Sequence, residues 1–570
     1  MPFQRFLFFT RPLMYIAVAL FLLGQGPQAW AQPPESDEKP LSFPFASEPG
    51  MDTWLLGQPY GNTTSAYRMR DVIYQLSQGI HFGVDLSAPC GTEVVALTDG
   101  VVFVVDNLNF GSAPHNLIVD YPELGYASLY GHLLETPHLR VGQEVKRGEV
   151  LALSGDPAET CYGRPHLHLE IRDLQTHARK FNPLTLMEGD WVTISSIGAF
   201  GRGFEYDLDN PRKWQHLFDQ PEAVSGGELL NDFTNPWPPD ISVPPAQSYF
   251  EETVAPPSAE STLQPLTDGG CCTQPAWSAD STYVRFIDRP DDDPAGIWEV
   301  SIEAIRSGPQ LFAESVAFYS AGYRYRIIVE GRTTQIESVD DGSGWAVPTG
   351  GQPVSISPGG ERIVWEVPNG EDVAVERRVT DIRSAALDGS NAHSVVTLPR
   401  GSFGGWISDD AILVSSRDSL QSREDVLHAI SLPAGEKTEL ARTENLRGAT
   451  LSGNGSWLAY YIALNEDRML NGLWVVRTDG TARQQLRRDL FGSYRWRDGH
   501  RLLIVPFRPG ETAHQIIEFD AETGMTRPLT DPAILPFKIT NNDWTVSPDG
   551  RKVAFVSATD YNLWLLTLQD

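Results

Sequence analysis

Five residues in the first third of the chain carry side chains suited to metal-assisted hydrolysis: His81, Asp85, His132, His166 and His168. They stand in three short contexts: His81-Phe82-Gly83-Val84-Asp85, Tyr130-Gly131-His132-Leu133 and Pro165-His166-Leu167-His168-Leu169-Glu170. A catalytic zinc takes about three protein ligands of nitrogen and oxygen type and keeps one position open for water. Two histidines and one carboxylate meet that need, and the two histidines left over are free to move protons.

Elements that place these residues follow from local pattern. From His166 onward polar and apolar residues alternate, so on a β-strand His166, His168 and Glu170 share one face while Leu167, Leu169 and Ile171 pack into a core. His81 and Asp85 are an even number apart with Gly83 between them. Gly83 and Ser87-Ala88-Pro89 break helical continuity, which leaves an extended or loop conformation. Short apolar runs at 94–97, 101–105, 117–119, 127–130, 150–153 and 166–171, separated by Gly, Pro, Asn and Asp turns, predict an antiparallel sheet with the site across one face.

On these motifs residues 43–190 resemble the lysostaphin-type zinc endopeptidases, whose signature is His-x-x-x-Asp followed at a distance by His-x-His. The likeness extends to Leu86-Ser87-Ala88-Pro89, Gly91-Thr92, Asp99-Gly100-Val101-Val102, Leu129-Tyr130-Gly131-His132-Leu133 and Gly142-Gln143, all in order. It implies Zn2+ held by His81, Asp85 and His168, with His132 and His166 beside the attacking water as proton carrier and as support for the tetrahedral intermediate. Glu170 is read either as the partner that orients an imidazole or as one half of a structural salt bridge. Tyr130 offers a hydroxyl near the oxyanion, against the plainer reading of a packed strand residue. His115, His138 and His177 have no ligand-spaced partner and are read as surface or packing histidines. The site also brings Cys90 and Cys161 together, and a disulfide between them is expected. For the adjacent Cys271 and Cys272 both a vicinal bridge, strained and uncommon, and two buried thiols stay open.

Residues 1–31 read as an export signal: Arg5 and Arg11 precede an apolar run from Met14 to Leu23, and Ala29-Trp30-Ala31 offers a small-x-small cleavage site. The run is short for a membrane span, so no stable span is expected after cleavage. A secreted or extracytoplasmic location follows, and four cysteines in an exported chain suit disulfides. The formal net charge of −30 argues against nucleic acid as a partner.

At 570 residues the chain exceeds one core and predicts at least two domains. Residues 191–260, crowded with prolines such as Pro236, Pro238, Pro239, Pro244 and Pro245, read as a linker, with the Trp214 to Phe233 part able to pack on a neighbour. From 261 to 570 the chain repeats a landmark of an aromatic or apolar residue followed by Ser and Asp or Gly. Examples are Trp277-Ser278-Ala279-Asp280, Trp406-Ile407-Ser408-Asp409 and Trp544-Thr545-Val546-Ser547-Pro548-Asp549-Gly550. After Ser357 the landmarks recur at about 51, 44, 45 and 50 residues, and the period resembles that of TolB-like and WD-type β-propellers. Seven blades are expected, with six as the alternative, and the strand near Pro265-Leu266-Thr267-Asp268 should close the last one.

The expectation is therefore an all-β, secreted zinc metalloendopeptidase fused to a β-propeller, acting on peptide bonds of peptidoglycan or other cell-envelope peptides. The propeller would be a scaffold or a platform for an envelope polymer or protein. The competing class is a non-catalytic envelope-binding protein with a structural metal site.

Overall fold

The computed structural model describes residues 39–157, 161, 163–198, 207, 209–234, 261–290, 292–314, 316–370, 377–432 and 434–568. The expected export signal lies outside them, as does most of the proline-rich stretch after 234. No helix among the described residues is long and apolar enough to cross a membrane.

The first domain is built on strands β1 (Leu55–Gln58), β2 (Val84–Ser87), β3 (Glu93–Val95), β4 (Gly100–Val105), β5 (Leu117–Tyr121), β6 (Tyr126–Gly131), β7 (Glu144–Val145), β8 (Val150–Leu153), β9 (His166–Asp173), β10 (Arg179–Phe181) and β11 (Ala223–Val224). The main sheet runs β1-β2-β9-β6-β5-β4-β7, with β10 and β11 joined through β9, while β3 and β8 pair separately. Alternation along β9 sends Leu167, Leu169 and Ile171 into a core shared with Val84, Leu86, Val119 and Trp191, all fully or almost fully buried. That burial fixes the register, because a slip of one residue would turn every apolar side chain of β9 outward. Its consequence is that His166, His168 and Glu170 must face the other way.

The segment after the sheet of the first domain is more engaged than a free linker. β11 pairs with β10, Tyr60 Oη donates to Pro221 O at 2.9 Å, Tyr67 stacks on Phe233, and Asn231, fully buried, donates to Asn62 Oδ1 at 2.9 Å. Trp214, Leu217, Ala223 and Phe233 supply the apolar surface that holds residues 209–234 on the first domain.

Residues 261–568 form seven four-stranded antiparallel blades. Six are contiguous, at 273–313, 318–347, 355–399, 402–443, 446–485 and 492–528. In the seventh, residues 539–567 give three strands and Thr262–Pro265 the fourth, with Leu263 opposite Leu566. Seven blades rather than six therefore close the ring, and the N-terminal strand does the closing, which leaves no blade short of a fourth strand. Cys271 and Cys272 are bridged to each other inside the cluster of Leu266, Trp277 and Leu563 beside that closure.

The two domains share a seam. Leu55 and Ile197 enter the cluster formed by Trp457, Tyr461, Phe491 and Tyr494 of blades five and six. Around it Asp52 accepts from Asn471 at 2.8 Å and pairs with Arg488, and Arg212 makes two bonds to Asp288, at 2.7 and 3.0 Å.

Candidate metal centre

Register brings the expected ligands together. β2 and β6 flank β9, with Asp85 opposite His168, Ser87 opposite His166, and Gly131 opposite His168 on the other side. Directly opposed residues project to the same face of a sheet, so Asp85 and His168 meet there and His132 enters just beyond the end of β6. His81 arrives from an isolated bridge in which it and Gly61 exchange both backbone bonds at 2.8 Å. Gly83, between His81 and Asp85, leaves room for the His168 ring: a Cβ there would stand 2.7 Å from its Cε1.

Three ligand atoms converge. His168 Nδ1 lies 2.7 Å from Asp85 Oδ1, His81 Nε2 lies 3.3 Å from His168 Nδ1, and the same His81 nitrogen lies 3.3 Å from Asp85 Oδ1. Four ligands about 2.0–2.1 Å from a tetrahedral ion sit roughly 3.3–3.4 Å apart, so two edges of this triangle already have the span such an ion imposes. The outer ring nitrogens agree with that use. His81 Nδ1 donates to Pro59 O at 2.8 Å, which directs the Nε2 lone pair inward. His168 Nε2 lies 3.4 Å from Glu170 Oε1, which leaves Nδ1 to face the triangle. Two imidazole lone pairs aimed at one point repel unless a cation stands between them, so the donor set fits a metal ion.

The field around the triangle also favours positive charge. Burial works against an ionised Asp85, yet His81, His166 and His168 hold its carboxyl well below the usual range. Burial likewise opposes a charged His168, yet Asp85 and Glu170 on its two sides raise it to about 9. Glu170 is fully buried and is itself held down to about 2, against its burial, chiefly by Arg172 and His168. Arg172 reaches it at 2.7 and 2.9 Å. The two readings of Glu170 thus coincide: it touches an imidazole of the site and forms a buried ion pair.

His132 and His166 stand beside the triangle, ring centroids 5.0 Å apart, and are less buried than His81 and His168. His166 Nδ1 donates to Arg164 O at 2.7 Å, and His132 Nδ1 donates to Ala113 O. A carbonyl only accepts, so both rings keep the Nε2 lone pair for other use when neutral. Burial, then the neighbouring His168 and His166, lowers His132 to about 4. Its backbone is left-handed, φ 55°, a conformation that costs energy outside glycine and gathers at functional sites.

Tyr130 is fully buried and its hydroxyl accepts from Leu97 N at 3.2 Å and meets Tyr121 Oη at 3.0 Å, so it is a packed strand residue with no access to an oxyanion. His138 is exposed, and His177 stacks on Phe103 at 4.4 Å and meets Asp120 at 2.9 Å. Cys90 and Cys161 are bridged, Cα atoms 5.8 Å apart. Sequence reasoning passed over Tyr74, whose ring packs edge-on against His81 at 5.9 Å and lies near Phe82. It also passed over the partner of His115, Asp106, at 3.0 Å.

Residues 79–183 match the family model described as peptidase family M23. An uncharacterized metalloprotease of Haemophilus influenzae is 37% identical over 106 residues, 19% of this chain and 21% of that protein. The peptidoglycan DD-endopeptidase ShyA of Vibrio cholerae is 34% identical over 104 residues, 18% of this chain and 23% of that protein. The chain thus spans about a fifth of the length of these curated relatives. Among solved structures, the catalytic domain of the antimicrobial peptidase lysostaphin from Staphylococcus simulans aligns with 21% identity over 23% of this chain and 90% of that one, at a TM-score of 0.19. The chain carries a peptidase family M23 domain followed by a seven-bladed β-propeller.

Proposed function

We propose that this protein is an extracytoplasmic zinc metalloendopeptidase that hydrolyses peptide bonds of peptidoglycan, in cross-links or stem peptides. The observation that carries the reading is the convergence of His81 Nε2, Asp85 Oδ1 and His168 Nδ1 beside two imidazoles with free Nε2 lone pairs. The M23 match and the peptidoglycan endopeptidase among the relatives support the substrate class. Zinc held by His81, Asp85 and His168 would supply the Lewis acid that polarises the scissile carbonyl. Of His132 and His166, one accepts the proton of the attacking water and returns it to the leaving amine while the other supports the tetrahedral intermediate, and each ring is held at Nδ1 by a backbone carbonyl. Glu170, anchored by Arg172, orients the His168 ring. The propeller serves as a platform for an envelope polymer or protein.

Metal analysis joined to muropeptide digestion tests the reading. The full-length protein should bind about one zinc and cleave muropeptides. Asp85→Ala should lose both, and His132→Ala or His166→Ala should keep zinc while losing about 100-fold to 10,000-fold in rate. Stable zinc with no cleavage of any muropeptide would instead favour a non-catalytic binding protein.

A further inference from the structure

The loop between β4 and β5, residues 106–116, holds His132 by two contacts and the following Leu133 by a third. Ser112 O accepts from His132 N at 3.2 Å, His115 O accepts from Leu133 N at 3.1 Å, and Ala113 O accepts from the His132 ring. Gly131 fits only because it has no side chain, since a Cβ would come within 2.3 Å of Ser112 Cβ. The tautomer of the His132 ring is thus set from outside its own strand by a carbonyl of this loop, and its left-handed backbone is held between the loop and Gly155, whose N donates to His132 O at 2.8 Å.

The loop is closed at its neck by a polar clamp. Asp106 N donates to Asn116 O at 2.8 Å, and Asn107 N donates to Asn116 Oδ1 at 2.9 Å. His115 Nδ1 lies 3.0 Å from each Asp106 carboxylate oxygen, and Thr136 Oγ1 donates to Asp106 Oδ2 at 2.8 Å. An ionised carboxylate only accepts, so His115 must carry its proton on Nδ1. Burial works against the charge, yet Thr136 and His115 hold the Asp106 carboxyl below its ordinary range. His115 therefore belongs to both ends of the device: its ring closes the neck and its carbonyl grips residue 133.

We propose that Asp106, His115 and Thr136 are positioning residues for His132, fixing through the 106–116 loop the tautomer and aim of the imidazole that moves protons. The catalytic part of this inference rests on the peptidase reading, while the structural part stands on the loop alone. None of the three needs to touch substrate. Their effect is on the orientation of a group whose misplacement by about 1 Å can cost about 100-fold in rate.

The experiment uses the full-length protein, steady-state hydrolysis of a soluble muropeptide, metal analysis, and nitrogen NMR of labelled histidine rings with His132 assigned by its absence in His132→Ala. Asp106→Ala and His115→Ala should lower kcat by about 10-fold to 100-fold with KM within about twofold and metal content unchanged. In both, the His132 signals should leave the pattern of an Nδ1-protonated ring. His115→Gln, whose amide can still donate to Asp106, should recover most of kcat. Thr136→Val removes a single hydroxyl at the surface and should give a smaller change in the same direction, which covers the case of a clamp variant that does not fold. Unchanged kcat and unchanged His132 signals in the alanine variants would overturn the proposal, as would a loss confined to KM. If the wild-type protein cleaves no muropeptide, the peptidase reading fails by itself, and the ring signals alone still decide whether the clamp sets the His132 tautomer.

Discussion

Lys538 Nζ lies 2.7 Å from Asp190 Oδ2, a bond from the seventh blade of the propeller to the N-cap of the helix Trp191–Ile194 in the peptidase domain. The same carboxylate accepts from Thr193 Oγ1 at 2.7 Å and from Gly510 N at 3.0 Å. Burial alone would raise its pKa, but Lys538, Thr193 and Gly510 together lower it. One acidic residue thus caps a helix and ties two domains. Lys538→Met leaves that carboxylate with one charged partner fewer in a poorly hydrated seam, and roughly 2 kcal/mol of stability should be lost. A lower urea midpoint at pH 7 checks this, and no shift would mean that the seam pair is solvated.

His514 and His216 give the seam a pH dependence. His514 Nδ1 accepts from Ile539 N at 3.1 Å and its Nε2 lies 3.2 Å from Thr193 Oγ1, so the ring is neutral with its proton on Nε2. His216 stacks on Tyr561 at 3.7 Å. Burial lowers both to about 4, against about 6.5 in an unfolded chain. A depressed folded pKa means that the unfolded chain binds more protons between these values. The stabilisation is therefore complete above pH 6.5 and is lost as pH falls toward 4, by up to about 3 kcal/mol for each ring. His514→Gln, which keeps a polar side chain and removes the titration, should show a shallower fall of the urea midpoint between pH 7 and 4.5 than the wild type. Identical slopes would remove His514 from the account.

What the sequence made legible and what it hid divide along chemical lines. His81, Asp85, His132, His166 and His168 stand in short motifs on or beside strands, and the alternation of β9 already gives the shared face of His166, His168 and Glu170. The blade period survives because each blade must repeat the same burial, and the closing strand is legible from the likeness of Pro265-Leu266-Thr267-Asp268 to Pro528-Leu529-Thr530-Asp531. The grip of Ala113 O on His132 is not legible, since a backbone carbonyl has no residue signature. Asp52, Asp190 and Lys538 read as ordinary surface charges until the seam brings them together. For residues 209–234 the aromatic ends Trp214 and Phe233 already mark a part of the linker able to pack on a neighbour, while Leu217 and Ala223, which also pack it down, give no such signal amid polar surroundings.

Arg172 and Glu170 test the buried support of the proposed metal centre. Replacing Arg172 by Met leaves a fully buried carboxylate without its bidentate partner, a change that typically costs about 3–5 kcal/mol. Glu170→Gln keeps the shape and removes the charge facing His168 Nε2, so zinc affinity should fall about 10-fold to 100-fold. Competition with a chromophoric chelator measures the second effect, and calorimetry the first. Equal zinc affinity in Glu170→Gln would confine the residue to a structural ion pair.

The Cys90–Cys161 bridge spans 71 positions and joins the loop after β2 to the loop before β9, the two strands that carry Asp85 and His168. Replacing both cysteines by Ala should lower stability by about 2–4 kcal/mol, chiefly by loosening the unfolded chain's constraint. Because β2 and β9 remain paired through four residue pairs, zinc stoichiometry should persist at low temperature. Loss of zinc in a folded double variant would show that the bridge, rather than the strand register, holds the ligands together.

Removing the propeller distinguishes a tether from a structural partner. A tethered targeting domain raises local concentration on an insoluble wall and leaves small soluble substrates unaffected. The seam predicts a different outcome. Leu55, 3% exposed, and Ile197, 5% exposed, are covered by propeller side chains, and Leu464 N donates to Met51 O at 2.7 Å. That grip falls just before β1, whose Gln58 pairs with Asp85 of β2. A fragment of residues 39–234 should therefore unfold at a lower temperature than the peptidase domain in the full chain, and its kcat on a soluble muropeptide should fall together with its action on intact walls. Leu55→Ser within the fragment should recover solubility without recovering rate, since it hides the exposed apolar face but leaves β1 unsupported. A fragment as active as the full chain on soluble muropeptides would show that β1 holds Asp85 without help, and would leave the propeller a tether.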